Sequence, residues 1–259
     1  MPLSALLFVN WIFWAGLAAG TLVVVGLAEL FGGTTRGYRL FMAWLLVLFA
    51  AVLVASDLAL PLGVEASTTA DVRRPLTFLF AAGCVAYLGA SIAMWPRTWL
   101  AIGTGVVGLA ALVVLAAAGG SRSAPLFAGQ LVLAALALGA VNAAMLLGHW
   151  YLVTPKLSPA PLRRMMWLLI GCLMLQGVAF AVALIGVGTD ALSGGLGWLT
   201  WLRLAVGILL PILIAVLAIL ASRAASLQAS TGLLYIGLAL VMAGSIAGAS
   251  ITYLTGIPV

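Results

Sequence analysis

Long apolar runs dominate the chain, and short stretches rich in Gly, Pro, Ser and Arg separate them. A helix needs about 20 apolar residues to cross the hydrocarbon core of a bilayer. Eight runs reach that length and predict transmembrane helices near residues 5–31, 39–63, 76–95, 99–119, 125–153, 162–188, 196–221 and 230–256. The strands of a membrane β-barrel alternate polar and apolar residues in segments of about 10 residues. These runs do not alternate, so the predicted fold class is an all-α integral membrane protein.

The composition excludes several classes of protein. Of 259 residues, 66% are hydrophobic and 6% are charged, whereas a soluble domain averages about 45–50% apolar and about 25% charged residues. A soluble globular protein, a disordered chain and a nucleic-acid-binding domain are therefore excluded. The net charge of +6 comes from eleven basic and five acidic residues, and we interpret it as a signal of membrane orientation.

The basic residues divide unequally between the two sets of loops. Loops after spans one, three, five and seven hold Arg36, Arg39, Arg97, Lys156, Arg163, Arg164 and Arg223. Loops on the other side hold Arg73, Arg74 and Arg122. Because basic loops stay in the cytoplasm, we expect a multi-pass protein of a bacterial-type cytoplasmic (inner) membrane with both termini outside.

Two short matches indicate an internal repeat. Leu17-Ala-Ala-Gly20 in span one matches Leu136-Ala-Leu-Gly139 in span five, and basic residues followed by a Trp open spans two and six. The chain is predicted to be one membrane domain, 1–259, in which 1–119 and 125–259 are candidate repeats. Two parallel four-helix bundles would result, and a seam between repeats is a common place for a ligand.

Polar residues inside the spans are the first candidates for a site, because charge there is costly. Asp57 and Arg203 both lie in the outer half, and they are either a structural ion pair or part of a ligand cavity. Asn10 and Gln130 lie at a similar depth, whereas Gln176 is nearer the middle of the membrane. Pro211, about two turns beyond Arg203, predicts a kink in span seven.

A second group lies near the cytoplasmic side. His149 ends span five and Glu29 ends span one. The pair is a candidate proton relay, and the alternative is an interfacial aromatic box with a hydrogen-bonded histidine. His149 is the single histidine, so a bis-histidine haem cannot be built and we do not expect this chain alone to bind haem.

Motifs for catalysis and metal binding are missing from the sequence. Cys84 and Cys172 lie far apart in apolar runs and are expected to be buried thiols. The chain has no phosphate-binding loop, nucleophile elbow or zinc-protease motif. We therefore predict no metal site and no catalytic residue, and the chain is not expected to be catalytic alone.

Two motifs and the topology carry a family resemblance. Asp57-Leu-Ala-Leu-Pro61 ends span two, and Trp201-x-Arg203 lies early in span seven. With eight spans and outer termini, these features resemble the NrfD-like anchors, the membrane subunits of DMSO reductase, polysulfide reductase and related complexes. A His-Leu-Gly-x-Pro type stretch ends an early span there, and this chain has Asp57 in place of the histidine.

The first and last spans add to the resemblance. Phe13-Trp-Ala-Gly-Leu-Ala-Ala-Gly20 is similar to the Gly- and Ala-rich first span of those anchors. The stretch 238–249 resembles their last span, which usually carries a Glu and an Arg where Ser245 and Ala249 stand here.

The resemblance implies a function for the chain. It would be a membrane anchor that exchanges electrons between quinone and an iron–sulfur or cytochrome partner outside the membrane. Asp57 and Arg203 would then line the quinone headgroup pocket, with further contacts from Gln176 and Asn10. The alternatives are a small transporter or permease, and a purely structural subunit of a respiratory or photosynthetic complex. Membrane lipid is an expected partner and nucleic acid is not.

Overall fold

The computed structural model describes residues 3–60, 67–118, 124–154, 157–187 and 194–255. Helices account for nearly all of them, and no strand occurs within these ranges. Eight helices are long and apolar enough to cross a membrane, which confirms the predicted all-α membrane class. They are α1 (Leu3–Leu30), α2 (Arg36–Ala59), α3 (Ser67–Ala93), α4 (Thr98–Ala118), α5 (Ala124–Val153), α6 (Ala160–Val187), α7 (Gly197–Arg223) and α8 (Leu227–Thr255).

Helix α7 changes its winding along its length. It is α-helical over Gly197–Trp201, π-helical over Leu202–Leu209 and α-helical again over Leu210–Arg223. Pro211 is the second residue after the π segment; it has no N–H to donate to Gly207, and its ring crowds that carbonyl. The wider π winding therefore occurs where the sequence predicts a kink, and it carries Arg203.

The predicted start of the third helix is wrong. Helix α3 begins at Ser67 instead of near residue 76, and Pro75 lies inside it. Arg73 and Arg74 are consequently helical residues and not loop residues. The helix extends because Arg73, only 1% exposed, is neutralised by an acid of the preceding helix. Arg122 is then the one remaining basic residue that the sequence analysis assigns to an outer loop. Arg122 and Lys156 both lie outside the described residues.

The helices pack as two rings of four. Within the first ring, α1 contacts α2 and α4, and α3 contacts the same two helices. The second ring repeats the pattern: α5 contacts α6 and α8, and α7 contacts α6 and α8. Helices α1 and α5 join the rings along a seam and contribute nearly half of the buried apolar core. Two parallel four-helix bundles would pack in this way, although duplication of the sequence itself stays a prediction.

Glycines allow the close approach of α1 and α5. A Cβ at Gly20 would overlap the backbone carbonyl of Ala135, and one at Gly139 would overlap the backbone of Gly20. One turn farther along α5, Asn142 Nδ2 donates to Thr21 Oγ1 at 3.2 Å. Small residues favour helix association in lipid because they let backbones touch. The two matching tetrapeptides thus end in the glycines at which the bundles meet.

Candidate functional site

Asp57 lies in the last turn of α2 and has two arginine partners. It is 1% exposed and forms a buried ion pair with Arg73 of α3. Arg74 Nε lies 3.2 Å from Asp57 Oδ2, and the Arg74 side chain is 27% exposed. Of the two alternatives for Asp57 and Arg203, the structural ion pair between them is therefore wrong. Helix α2 packs beside α3 in the first ring, whereas Arg203 belongs to α7 in the second.

Polar groups of α1 extend this cluster. Asn10 Nδ2 donates to Ser56 Oγ at 2.8 Å, and the Arg73 guanidinium lies 4.9 Å from the ring centre of Trp11. Asn10 therefore lies beside the Asp57 cluster and apart from Arg203 and Gln176, with which the predicted pocket grouped it. Trp11 Nε1 and Arg73 Nε are both buried and have no hydrogen-bond partner among the described residues. The cluster combines one carboxylate, two guanidinium groups and two donors that lack acceptors.

Arg203 occupies a separate site in the second ring. It is 2% exposed, and its Nη2 donates to Gln176 Oε1 at 2.5 Å. Gln176 Nε2 in turn donates to the Leu133 carbonyl at 3.2 Å. The structure therefore joins Arg203 to Gln176. No described carboxylate lies within ion-pair distance of Arg203.

A narrow, mostly apolar cavity lies beside Arg203 at the seam. Its free volume is only about 30 Å³, it is partly open, and residues of α1, α5, α7 and α8 form its walls. Gln130 of α5 also lines it; this side chain is 3% exposed, and both its Oε1 and its Nε2 lack a described partner.

The two residues predicted as a proton relay have separate partners at the other end of the bundle. Glu29 Oε1 accepts hydrogen bonds from Tyr87 Oη at 2.8 Å and from Arg97 Nε at 3.2 Å. His149 Nδ1 lies 3.3 Å from Tyr235 Oη. No hydrogen bond between Glu29 and His149 is found in the described part of the chain, so a relay would need intervening groups. The contact with Tyr235 fits the alternative of a hydrogen-bonded histidine beside aromatic rings.

Within the described ranges, no three His, Cys, Asp or Glu side chains come together as a metal site. Cys84 and Cys172 are buried free thiols, as the sequence predicts.

Sequence reasoning missed the role of three residues. The hydropathy pattern places Arg73 and Arg74 in a loop, although a buried Asp57 in the preceding span requires nearby counterions. Gln130 was noted only for its depth, because nothing in an apolar sequence indicates whether an amide has a partner. Comparisons with family models, curated proteins and solved structures gave no match to this chain.

Proposed function

We propose that the chain is a quinone-interacting anchor subunit of a membrane redox complex, with the quinone headgroup at the Asp57 cluster. The observation that carries the proposal is the pair of buried donors without acceptors, Trp11 Nε1 and Arg73 Nε, beside a buried carboxylate. A buried donor without a partner is costly, and a quinone carbonyl oxygen is an acceptor of suitable chemistry. The family resemblance at Asp57 points to the same place.

Each residue of the cluster has a distinct role in this proposal. Trp11 and Arg73 donate to a quinone oxygen, and the net positive charge favours an oxygen that becomes more negative. Asp57 is the carboxylate of the cluster, so it orients both arginines and accepts the hydrogen of a quinol hydroxyl. Arg74 is partly exposed and connects the cluster to the membrane face at which α2 ends. Quinone itself supplies the electron chemistry, and an iron–sulfur or cytochrome partner at that face would exchange the electrons.

The Arg203 cavity is a weaker candidate for quinol oxidation. No acid or histidine is among the residues that line it. A quinol releases protons as it is oxidised, so a reactive site needs an acceptor close by. This requirement favours the Asp57 cluster.

The test begins with the native complex purified through a tag on this chain. We expect an iron–sulfur or cytochrome subunit to co-purify, and the complex to oxidise a quinol. Trp11→Phe should raise the KM for quinol severalfold, because it removes a donor while keeping an aromatic ring and the ion pairs. Asp57→Asn should lower kcat as well. Arg36→Gln, an exposed arginine at the opposite end of α2, is the matched control and should change neither constant.

Three outcomes would contradict the proposal. They are wild-type kinetics in both the Trp11→Phe and the Asp57→Asn complexes, purification of the chain without any redox partner, and substrate flux into liposomes by the isolated chain. The last would favour the transporter alternative.

A further inference from the structure

The cavity beside Arg203 contains a positive charge that no described residue balances. The buried guanidinium bonds to a neutral amide, Gln176, and has no carboxylate within ion-pair distance in the described ranges. Its Nε is buried and has no described partner. Removing a charge from water without a counterion is strongly unfavourable. Arg73 of the first ring is equally buried, yet it has Asp57.

Gln130 adds a second unsatisfied group to the same cavity. Its side chain is almost fully buried, and neither its amide nitrogen nor its amide oxygen has a described partner. It lines the cavity together with Arg203. An amide donor and a guanidinium fork on the wall of one cavity are groups of suitable chemistry for the oxygens of a phosphate or carboxylate.

Comparison of the two rings shows why space remains here. Arg73 and Arg203 are each the seventh residue of the third helix of their ring. Trp11 and Gln130 are 119 positions apart, as are the seam glycines Gly20 and Gly139. In the first ring the indole of Trp11 packs over the arginine at 4.9 Å. In the second ring the equivalent position is Gln130, and a cavity adjoins the arginine.

The walls determine what kind of molecule can enter. Most of the lining is apolar or small, with Gly16, Ala135, Gly248 and Ala249 among it, and it includes no acidic residue. A molecule that balances Arg203 must therefore bring its own negative charge. The rest of that molecule must be apolar, because it lies among apolar helices.

We propose that this cavity binds the oxyanion head of a membrane amphiphile, a phosphate or a carboxylate on an apolar chain, through Arg203 and Gln130. The site is distinct from the Asp57 cluster and does not depend on quinone chemistry. The free volume of about 30 Å³ admits only a small head group, so the apolar chain would lie outside the cavity, along the apolar helices.

The test is amphiphile binding to the full chain, purified in neutral detergent and stripped of lipid. The probes are lysophosphatidic acid and oleate, with lysophosphatidylcholine as the zwitterionic comparison and inorganic phosphate as a head without a chain. We expect each anionic amphiphile to bind saturably at one site in native mass spectrometry or calorimetry. The other two should bind at least about tenfold more weakly, and the tighter anionic probe identifies the head.

Amino-acid substitutions then test whether the amphiphile binds in the cavity beside Arg203. Arg203→Gln should weaken binding by about tenfold or more, as expected for loss of a charged hydrogen bond. Arg223→Gln makes the same charge change at the other, exposed end of α7 and should bind normally. Gln130→Leu should weaken binding severalfold. Ala249→Phe fills the cavity while keeping Arg203, so it should abolish binding and tests the site even if Arg203→Gln fails to fold.

The proposal is overturned by unchanged affinity in Arg203→Gln and Ala249→Phe, or by equal binding of lysophosphatidylcholine. Displacement of the anionic probe by a short-chain ubiquinone analogue would also overturn it, because the cavity would then be a quinone site. No redox partner is present in the assay, so its result is independent of the proposed quinone function.

Discussion

At the scale of single residues, burial without a partner separates the two arginine sites. Arg73 shares Asp57 with Arg74, whereas Arg203 relies on an amide. Charged groups in a membrane interior are costly unless they are paired, so identical side chains at equivalent depths have different consequences. Breaking the ion pair of Arg73 should have a measurable effect on stability, and Arg203 is the residue at which we propose that an anionic head binds.

Loss of the Asp57 carboxylate is expected to destabilise the protein. Asp57→Asn leaves two guanidinium groups without their shared counterion, and breaking a buried pair typically costs about 3–5 kcal/mol. Unfolding in mixed micelles would measure the change. The double variant Asp57→Asn, Arg73→Gln should be more stable than Asp57→Asn alone, because one uncompensated charge is removed. A double variant no more stable than the single one would show that the pair is not coupled.

At the opposite end of the bundle, loss of the hydrogen bond to Glu29 should destabilise the protein by a smaller amount. Tyr87→Phe removes the 2.8 Å bond to Glu29 and should cost about 1.5–3 kcal/mol, the range for a bond to a charged group. Tyr235→Phe removes the bond to His149 at the exposed end of α5 and should cost less. Thermal unfolding of both variants in one detergent would compare them, and equal losses would contradict the ranking.

At the scale of helices, close packing at glycines determines which elements meet. Lipid is as apolar as leucine, so helices do not associate to escape it and instead associate through tight contact. The crossing of α1 with α5 at Gly20 and Gly139 is one such contact. A second is the approach of Gly207 in the π segment of α7 to Gly244 of α8, where an added Cβ would lie 2.6 Å from the Gly244 Cα. That contact lies one turn from Arg203 and helps to fix its position.

Adding a methyl group at the contact between α1 and α5 is therefore predicted to destabilise the protein. Gly139→Ala places a Cβ against the backbone of Gly20, and overpacking of this kind costs about 1–3 kcal/mol or more. Gly129→Ala on the same helix has no atom within 4 Å of the new Cβ. It should be neutral or more stable by up to about 1 kcal/mol through helix propensity. Similar unfolding free energies for the two variants would argue against the seam.

At the scale of the whole molecule, the two rings have the same helix arrangement but different buried polar groups. The first ring has an acid, two cations and a tryptophan beside the arginine, and the second has one cation, an amide and a cavity. This division separates the residues that the sequence assigned to one pocket. Asn10 and Asp57 lie in one cluster, and Gln176 and Arg203 lie in the other.

The predicted orientation can be tested with the whole chain. Arg36→Cys introduces an exposed thiol at the start of α2, whereas Cys84 and Cys172 are buried. A membrane-impermeant maleimide should label this variant in inverted vesicles and not in intact spheroplasts, because the odd loops are predicted to be cytoplasmic. The wild-type chain serves as the background control, and the reverse labelling pattern would place the termini inside.

Several properties followed from the sequence by itself. The length and apolarity of each run determine that a helix crosses the bilayer, because backbone polar groups in lipid must be satisfied within the segment. The fold class and the number of spans therefore needed no tertiary information. The sequence also places Asp57, Arg203 and Gln176 inside helices, because each lies within a long apolar run.

Only the tertiary structure decided which polar groups meet. Apolar helices of similar composition can pack in many orders, and the order determines the partner of every buried charge. Asp57 faces Arg73 because α2 packs beside α3, and Arg203 lies beside a cavity because Gln130 stands where the first ring has Trp11. Ion pairs and unsatisfied amides depend on contacts between helices distant in sequence, and periodicity and hydropathy do not encode those contacts.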